Sequence, residues 1–304
     1  MKEIPSRGGK RPAPALSKGQ AVSGAVVLAV RLESCWETYR LDLQRCRDEF
    51  TEPRVHDLRV AARRLSVALE MGASIARKKR GAKHRRLLKS YLNAFDHLRD
   101  IQVQLAILEE LPADDPEIEA FRAYLLRCQG QTAARLSKKV RLFQTEAMRS
   151  QVLKLSKALH GLDRSAGESA LCRLVDAAYA IVCQRRSGVR LEDALTIHRL
   201  RLSFKKFRYQ VETIFPLLPG PPKNYLDHLQ RYQAAMGEIQ DAEIGLLLLK
   251  AFSTRRRMAL PGLQAGYEDR YHTKAVAFLA GIDAVDLFWR HTPRDLFPWE
   301  LDKV

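Results

Sequence analysis

Residues 55–72 read VHDLRVAARRLSVALEMG, and residues 197–214 read IHRLRLSFKKFRYQVETI. The two segments lie 142 residues apart, counted from His56 to His198. Three positions correspond: His56 with His198, Arg59 with Arg201, and Arg63-Arg64 with Lys205-Lys206. In both segments apolar residues recur every three or four positions, which is the period of a helix packed on a core. The segments therefore predict one helix that is used twice.

A second pair of segments follows in the same order. YLNAFDHLRDIQVQLAILEEL begins at Tyr91 and YQAAMGEIQDAEIGLLLLKAF begins at Tyr232, here 141 residues apart, so that Asp100 matches Asp241. Two matched pairs at nearly one offset indicate an internal repeat. The helical period continues over most of the chain, and alternating strand-like runs are almost absent. We therefore predict an all-α fold of two four-helix bundles related by a pseudo-twofold axis.

Prolines and glycines divide the helical pattern, for example at Pro53, at Pro112 and between Pro216 and Pro222. The predicted helices cover residues 21–50, 53–79, 82–111, 116–146, 168–187, 191–215, 223–254 and 263–282. Residues 147–167 are expected to form a connector. In terms of domains, we expect a disordered basic tail at 1–20, one domain at 21–290 made of the four-helix repeats 21–160 and 161–290, and a C-terminal tail at 291–304.

The composition points to an anionic partner. Lys and Arg total 52 against 35 Asp and Glu, a formal net charge of +17, which suits nucleic acid, a membrane surface or a phosphate polymer. The five cysteines are odd in number and show no CxxC spacing, so we expect reduced thiols, no disulfide framework, no metal site and no cofactor. No apolar run is long enough to span a membrane, and the expected location is the cytoplasm.

One flank of each repeated helix carries the positive charge. On a helical projection His56, Arg59 and Arg63 lie beside an apolar face, and the second copy keeps this arrangement. The apolar faces are Leu58, Ala62, Leu65 and Leu69 in the first copy, and Leu200, Phe204, Phe207 and Val211 in the second. Arg offers a planar fork of donors for phosphate oxygens, Lys a mobile charge, and His a titratable donor. A line of such groups suits a linear polyanion; a solvated helix face is the alternative interpretation.

VHDLRVAARRL and IHRLRLSFKKFRY resemble the two signature helices of the CHAD family, the conserved-histidine α-helical domain. HLRDIQV at 97–103 resembles the family's Leu-Arg-Asp-x-x-Val segment, and the likeness covers about residues 21–290. Ser66 and Gln240 stand where the family pattern has Arg. The resemblance implies one domain of two four-helix bundles around a basic central channel. It also implies non-catalytic binding of inorganic polyphosphate, with targeting to, or organisation of, polyphosphate granules.

Carried over residue by residue, the resemblance gives a set of polyphosphate-binding candidates: His56, Arg59, Arg63, Arg64, His198, Arg201, Lys205, Lys206 and Arg208. Four further cations are expected to extend this surface: Arg85, Arg86, Lys89 and Arg231. Asp100 and Asp241 are expected to orient these cations by ion pairing rather than to act as catalytic acids. Tyr209 is expected to pack against the basic flank.

Three other functions are weighed against polyphosphate binding. A nucleic-acid-binding protein is the main alternative, but no DNA- or RNA-recognition signature occurs and no aromatic residues interleave with the basic flanks; weak competing binding stays open. Catalysis on polyphosphate lacks a Walker loop or a nucleophile motif, so we expect no enzyme. A protein-binding scaffold would act through exposed apolar faces instead of the basic flanks.

Overall fold

The protein is described here by a computed structural model that covers residues 23–77, 82–112, 115–162 and 167–301, with residues 82–85 described for their backbone only. The basic tail expected at 1–20 and the side chain of Arg85 lie outside the described residues. Across the described ranges the chain is helical and contains no β-strand, which confirms the predicted all-α class.

Nine helices form the body of the structure, and their bounds follow chain order. They are α1 (Gly24–Asp48), α2 (Glu52–Ile75), α3 (Ala82–Glu109), α4 (Pro116–Arg141), α5 (Glu146–His160), α6 (Gly167–Ser187), α7 (Ala194–Ile214), α8 (Tyr225–Arg256) and α9 (Pro261–Ala280). Short 3-10 helices follow at Phe215–Leu217 and Ile282–Leu287, and α10 spans Pro298–Leu301. The eight predicted helices correspond to α1–α4 and α6–α9.

The connector predicted at 147–167 is wrong, because most of it is the helix α5. Met148, Val152, Leu155 and Leu159 repeat at helical spacing and are buried against α1 and α2. Residues 21–160 therefore hold five helices where four were expected. The apolar period of α5 was present in the sequence, but the segment has no counterpart in the second repeat, so the repeat gave no reason to add a helix there.

The same neighbours recur in both halves of the chain. In the first half α1 packs on α2, α2 on α3, and α3 on α4; in the second, α6 packs on α7, α7 on α8, and α8 on α9. This recurrence is compatible with the predicted pair of bundles. The halves also meet directly, because α2 contacts α7 and α3 contacts α8. A binding surface on the repeated helices can therefore draw on both halves.

Two apolar cores hold the halves together. The larger core joins α1, α2 and α5 to α6 and α7, and the smaller one joins α3 and α4 to α8 and α9. The apolar faces predicted for α2 and α7 lie in the larger core, where Leu65, Leu69, Phe204 and Phe207 are fully buried. Burying such side chains is the main source of folding free energy, so the flanking cations are held on rigid helices.

The segment expected to be a C-terminal tail contributes to the larger core. Phe297 and Trp299 are buried and pack on Trp289, which has no exposed surface. The Trp299 indole Nε1 donates to the Pro219 carbonyl at 2.9 Å, and the Trp289 Nε1 donates to Asp176 Oδ1 at 2.8 Å. Aromatic rings with satisfied indole donors fix this segment to the body of the domain.

Two further expectations can be checked on the structure. All five cysteines are free thiols, which agrees with the absence of a disulfide framework. Among the helices that the structure describes, none combines the length and the apolar character that crossing a membrane requires.

Candidate anion-binding site

Four cations from α2 and α7 converge at the meeting of the two halves; we call Arg59, Arg63, Arg201 and Lys205 the cation cluster. In the first half, Arg59 Nη2 donates to Asp96 Oδ1 at 2.6 Å, and Arg63 Nη2 lies 3.3 Å from the same oxygen. The Arg59 side chain is only 8% exposed, so its charge is held almost out of water. One carboxylate on α3 thus holds two arginines in place.

Arg201 and Lys205 supply the second half of the cluster. Burial, then the charges of Arg63 and Arg201, lower the pKa of Lys205 to about 7. The pKa of Arg201 is also lowered, mainly by burial, with Asp241 opposing the shift. Within the part of the chain that the structure describes, neither cation has a carboxylate within 4.0 Å. The positive charge of this half is therefore present without a direct counter-ion.

The carboxylates around the cluster do not take the roles expected from the sequence. Burial, then the charge of Asp96, raise the pKa of Asp100 to about 6, and burial raises the pKa of Asp241. Among the described residues, neither forms an ion pair within 4.0 Å, whereas Asp96 pairs with two arginines. Asp96 was missed because its repeat counterpart is Gly237, so the comparison of the two copies passed over it.

The equivalent arginines of the two repeats share one further property. The Nε of Arg59 and the Nε of Arg201 are both buried without a hydrogen-bond partner. An unsatisfied buried donor costs roughly 1–3 kcal/mol, so native proteins leave few of them. The same atom is left unsatisfied in both copies, which leaves each guanidinium with donor capacity that the described residues do not use.

The two histidines flank the cluster in different settings. His56 is exposed at the start of α2; partial burial, then the charge of Arg99, lower its pKa. His198 is partly buried, and its Nδ1 contacts the side-chain oxygen of Gln240, whose Nε2 donates to Glu243 Oε2 at 2.8 Å. Gln240, the position that departs from the family pattern, thus orients a signature histidine.

Arg64, Lys206 and Arg208 lie apart from the cation cluster, where they link helices. The Arg208 guanidinium donates to Glu212 Oε1 at 2.6 Å and to Gln233 Oε1 at 2.8 Å, and it stacks 4.5 Å from the ring centre of Tyr209. Arg64 Nε lies 3.5 Å from Glu212 Oε2. Lys206 Nζ contacts Glu70 Oε1 at 2.7 Å, which joins α7 to α2. Tyr209 is buried beside these groups.

The cations expected to extend the surface lie on solvent-facing positions. Arg86 and Lys89 are exposed on α3, and Arg231 is exposed on α8. Among the described residues, none of the three forms an ion pair within 4.0 Å. The structure therefore brings four of the predicted residues into one cluster, places the two histidines beside it, and distributes the others over the surrounding surface.

Comparisons with known proteins agree with this architecture. The family model described as CHAD domain matches residues 31–250. The crystal structure of the CHAD domain from the plant Ricinus communis superposes with a TM-score of 0.72 at 18% identity, covering 90% of this chain and 96% of that one. No curated protein matches the sequence. CHAD domains are associated with polyphosphate binding and metabolism. The family match covers most of the sequence and the fold agrees with it, so the chain belongs to the CHAD domain family.

Proposed function

We propose that the protein binds inorganic polyphosphate through the cation cluster and that it does so without catalysing a reaction. One observation carries the proposal: equivalent cations from both repeats are brought together, and the described residues leave Arg201 and Lys205 without a direct counter-ion. Mutual repulsion among these cations opposes folding. A bound polyanion would turn this cost into binding free energy, because its charge would stabilise the protonated forms.

The chemistry of the cluster suits phosphate in a chain. An arginine guanidinium binds phosphate oxygens as a planar fork, and Lys205 adds a movable point charge. Arg63 belongs to the first repeat, and its charge lowers the pKa values of Arg201 and Lys205 in the second. One polymer laid across the cluster would therefore contact both repeats. The net charge of +17 would draw such a polymer to the surface from a distance.

The carboxylates support binding rather than catalysis. Asp96 is committed to Arg59 and Arg63, so it acts as their counter-ion and positions them. We further propose that the protein works in the cytoplasm, at polyphosphate granules, where long chains are concentrated. Nucleic acid is the competing polyanion, and weak binding of it would use the same cations.

The experiment compares two triple variants that lose equal charge. The test variant is Arg63→Gln/Arg201→Gln/Lys205→Gln, and the control variant is Arg127→Gln/Arg135→Gln/Lys154→Gln, whose three cations are exposed on α4 and α5. Binding of long-chain polyphosphate is measured at two salt concentrations. Each charge-assisted contact contributes about 1.5 kcal/mol or more, so the test variant should lose roughly a thousandfold in affinity and show a flatter salt dependence.

The control variant should bind nearly as well as the unmodified protein, since only distant surface charge is lost. Equal losses in the two variants would show that net charge, not the cluster, drives binding. Single-stranded DNA of matched charge is the competitor. If it displaces polyphosphate as effectively as polyphosphate itself does, the protein is a general polyanion binder and the proposal is overturned.

A further inference from the structure

Three potential metal ligands meet at a point that the proposed polyphosphate site does not use. Cys183 lies on α6, Asp286 lies in the 3-10 helix Ile282–Leu287, and His291 follows that helix. The thiol sulfur, one carboxylate oxygen and one imidazole nitrogen all lie within 4.8 Å of one another. Zinc was not expected from the sequence, because these residues come from opposite ends of the second repeat and no short ligand spacing announces them.

We propose that Cys183, Asp286 and His291 form a binding site for a divalent transition metal of the zinc class, with a fourth position open to solvent. A thiolate, an imidazole and a carboxylate are the ligand types that Zn²⁺ takes in tetrahedral protein sites. The thiolate and the imidazole disfavour Mg²⁺ and Ca²⁺, which prefer oxygen ligands. None of the three residues belongs to the cation cluster, so the site is independent of the proposed polyphosphate binding.

The carboxylate of Asp286 is already positioned for such a role. Arg186 Nη1 donates to its Oδ2. The other oxygen, Oδ1, lies 3.7 Å from His291 Nε2 and 3.5 Å from the hydroxyl of Tyr179. Metal-ligating carboxylates are commonly fixed by hydrogen bonds of this kind from residues that do not touch the metal. Arg186 thus leaves Oδ1 directed towards the imidazole.

The local charge also favours a cation in an otherwise basic protein. Arg186 Nη1 lies 3.2 Å from Asp283 Oδ1 as well as pairing with Asp286, so one cation faces two carboxylates. The group therefore carries one excess negative charge, and a thiolate at Cys183 adds a second. Binding of M²⁺ would displace the thiol proton to solvent and form the metal–sulfur bond, which leaves the group neutral without any change of oxidation state.

His291 has the freedom that entry of a metal requires. Its side chain is 57% exposed, whereas Cys183 and Asp286 are partly buried. The His291 ring lies 5.9 Å from the ring of Tyr179, on the segment that Trp289 fixes to the core. A metal held here would tie the C-terminal segment to α6 and should raise the thermal stability of the domain.

The test is a cobalt titration of the full chain after treatment with a chelator. Co²⁺ bound to a thiolate gives a charge-transfer absorption in the near ultraviolet, and we expect this band at one equivalent, with displacement by Zn²⁺. Cys183→Ser should abolish the band, and His291→Ala should weaken cobalt binding at least tenfold. Cys172→Ser is the matched control, because Cys172 is a second partly buried cysteine on α6.

The outcomes separate cleanly. A band that persists in Cys183→Ser, or no band at all in the unmodified protein, overturns the proposal. Should Cys183→Ser fail to fold, His291→Ala decides, because that substitution removes an exposed side chain; unchanged cobalt affinity in this variant would equally overturn the site. None of these results depends on whether polyphosphate binds.

Discussion

Polyphosphate binding should be coupled to proton uptake at Lys205. Arg63 and Arg201, together with Arg59 from α2, face its ammonium group, while Asp96 on α3 provides partial compensation. With a pKa of about 7, Lys205 is mostly charged at pH 6, and about one molecule in eleven carries the charge at pH 8. A polyanion that requires the charged form should therefore bind about tenfold more weakly at pH 8 than at pH 6, a difference of about 1.4 kcal/mol.

The sign follows from the direction of the pKa shift. Because folding lowers the pKa of Lys205, the folded state takes up this proton less readily than the unfolded chain, and the protein loses stability as pH falls from the ordinary lysine range through about 7. Bound polyphosphate reverses this loss, so it should raise the unfolding temperature more at pH 6 than at pH 8. Asp100, whose pKa is about 6, adds an effect of the same sign at the acidic end.

Lys205→Arg isolates the lysine, because a guanidinium stays charged across this range. Calorimetric titration in two buffers of different ionisation enthalpy measures the protons taken up, which should be about 0.9 per site at pH 8 for the unmodified protein. The arginine variant should take up close to none from this position and should lose the tenfold part of the pH dependence. Lys206→Arg is the control, since its Nζ is paired with Glu70. Equal proton uptake in the unmodified protein and Lys205→Arg would refute the reasoning.

Three further substitutions test the structure around the site. Asp96→Asn removes the counter-charge of two arginines, so it should lower the unfolding free energy in urea by about 1–3 kcal/mol and raise polyphosphate affinity. Gly245→Ala should destabilise by about 1–3 kcal/mol, because the new Cβ would lie 2.6 Å from Tyr267 Cδ1; Gly237→Ala on the same helix meets open space and should not destabilise. Trp289→Ala should cost about 3–5 kcal/mol in the same urea assay, whereas loss of a free tail would cost nothing.

The sequence predicted those features that repeat and missed those that do not. The apolar faces of α2 and α7 were foreseen because both copies show them. The helix α5 and the counter-ion Asp96 occur once, and the comparison of the two copies therefore favoured neither. Lys206 was assigned to the binding surface for its alignment alone, but its partner Glu70 lies on a helix that only folding brings near.

The arrangement of the cation cluster argues for a ligand more strongly than the net charge does. If the basic flanks served only solubility, the fold could place them outward, as it places Arg86 and Arg231. Instead, the described structure holds Arg59 nearly buried and brings Lys205 beside Arg63 and Arg201, at a cost that no neighbouring carboxylate fully offsets. Functional sites commonly depart in this way from the arrangement that stability alone favours. Because the opposing charges come from both repeats, the anion that relieves them must lie between the two halves, and it would stabilise their contact as it binds.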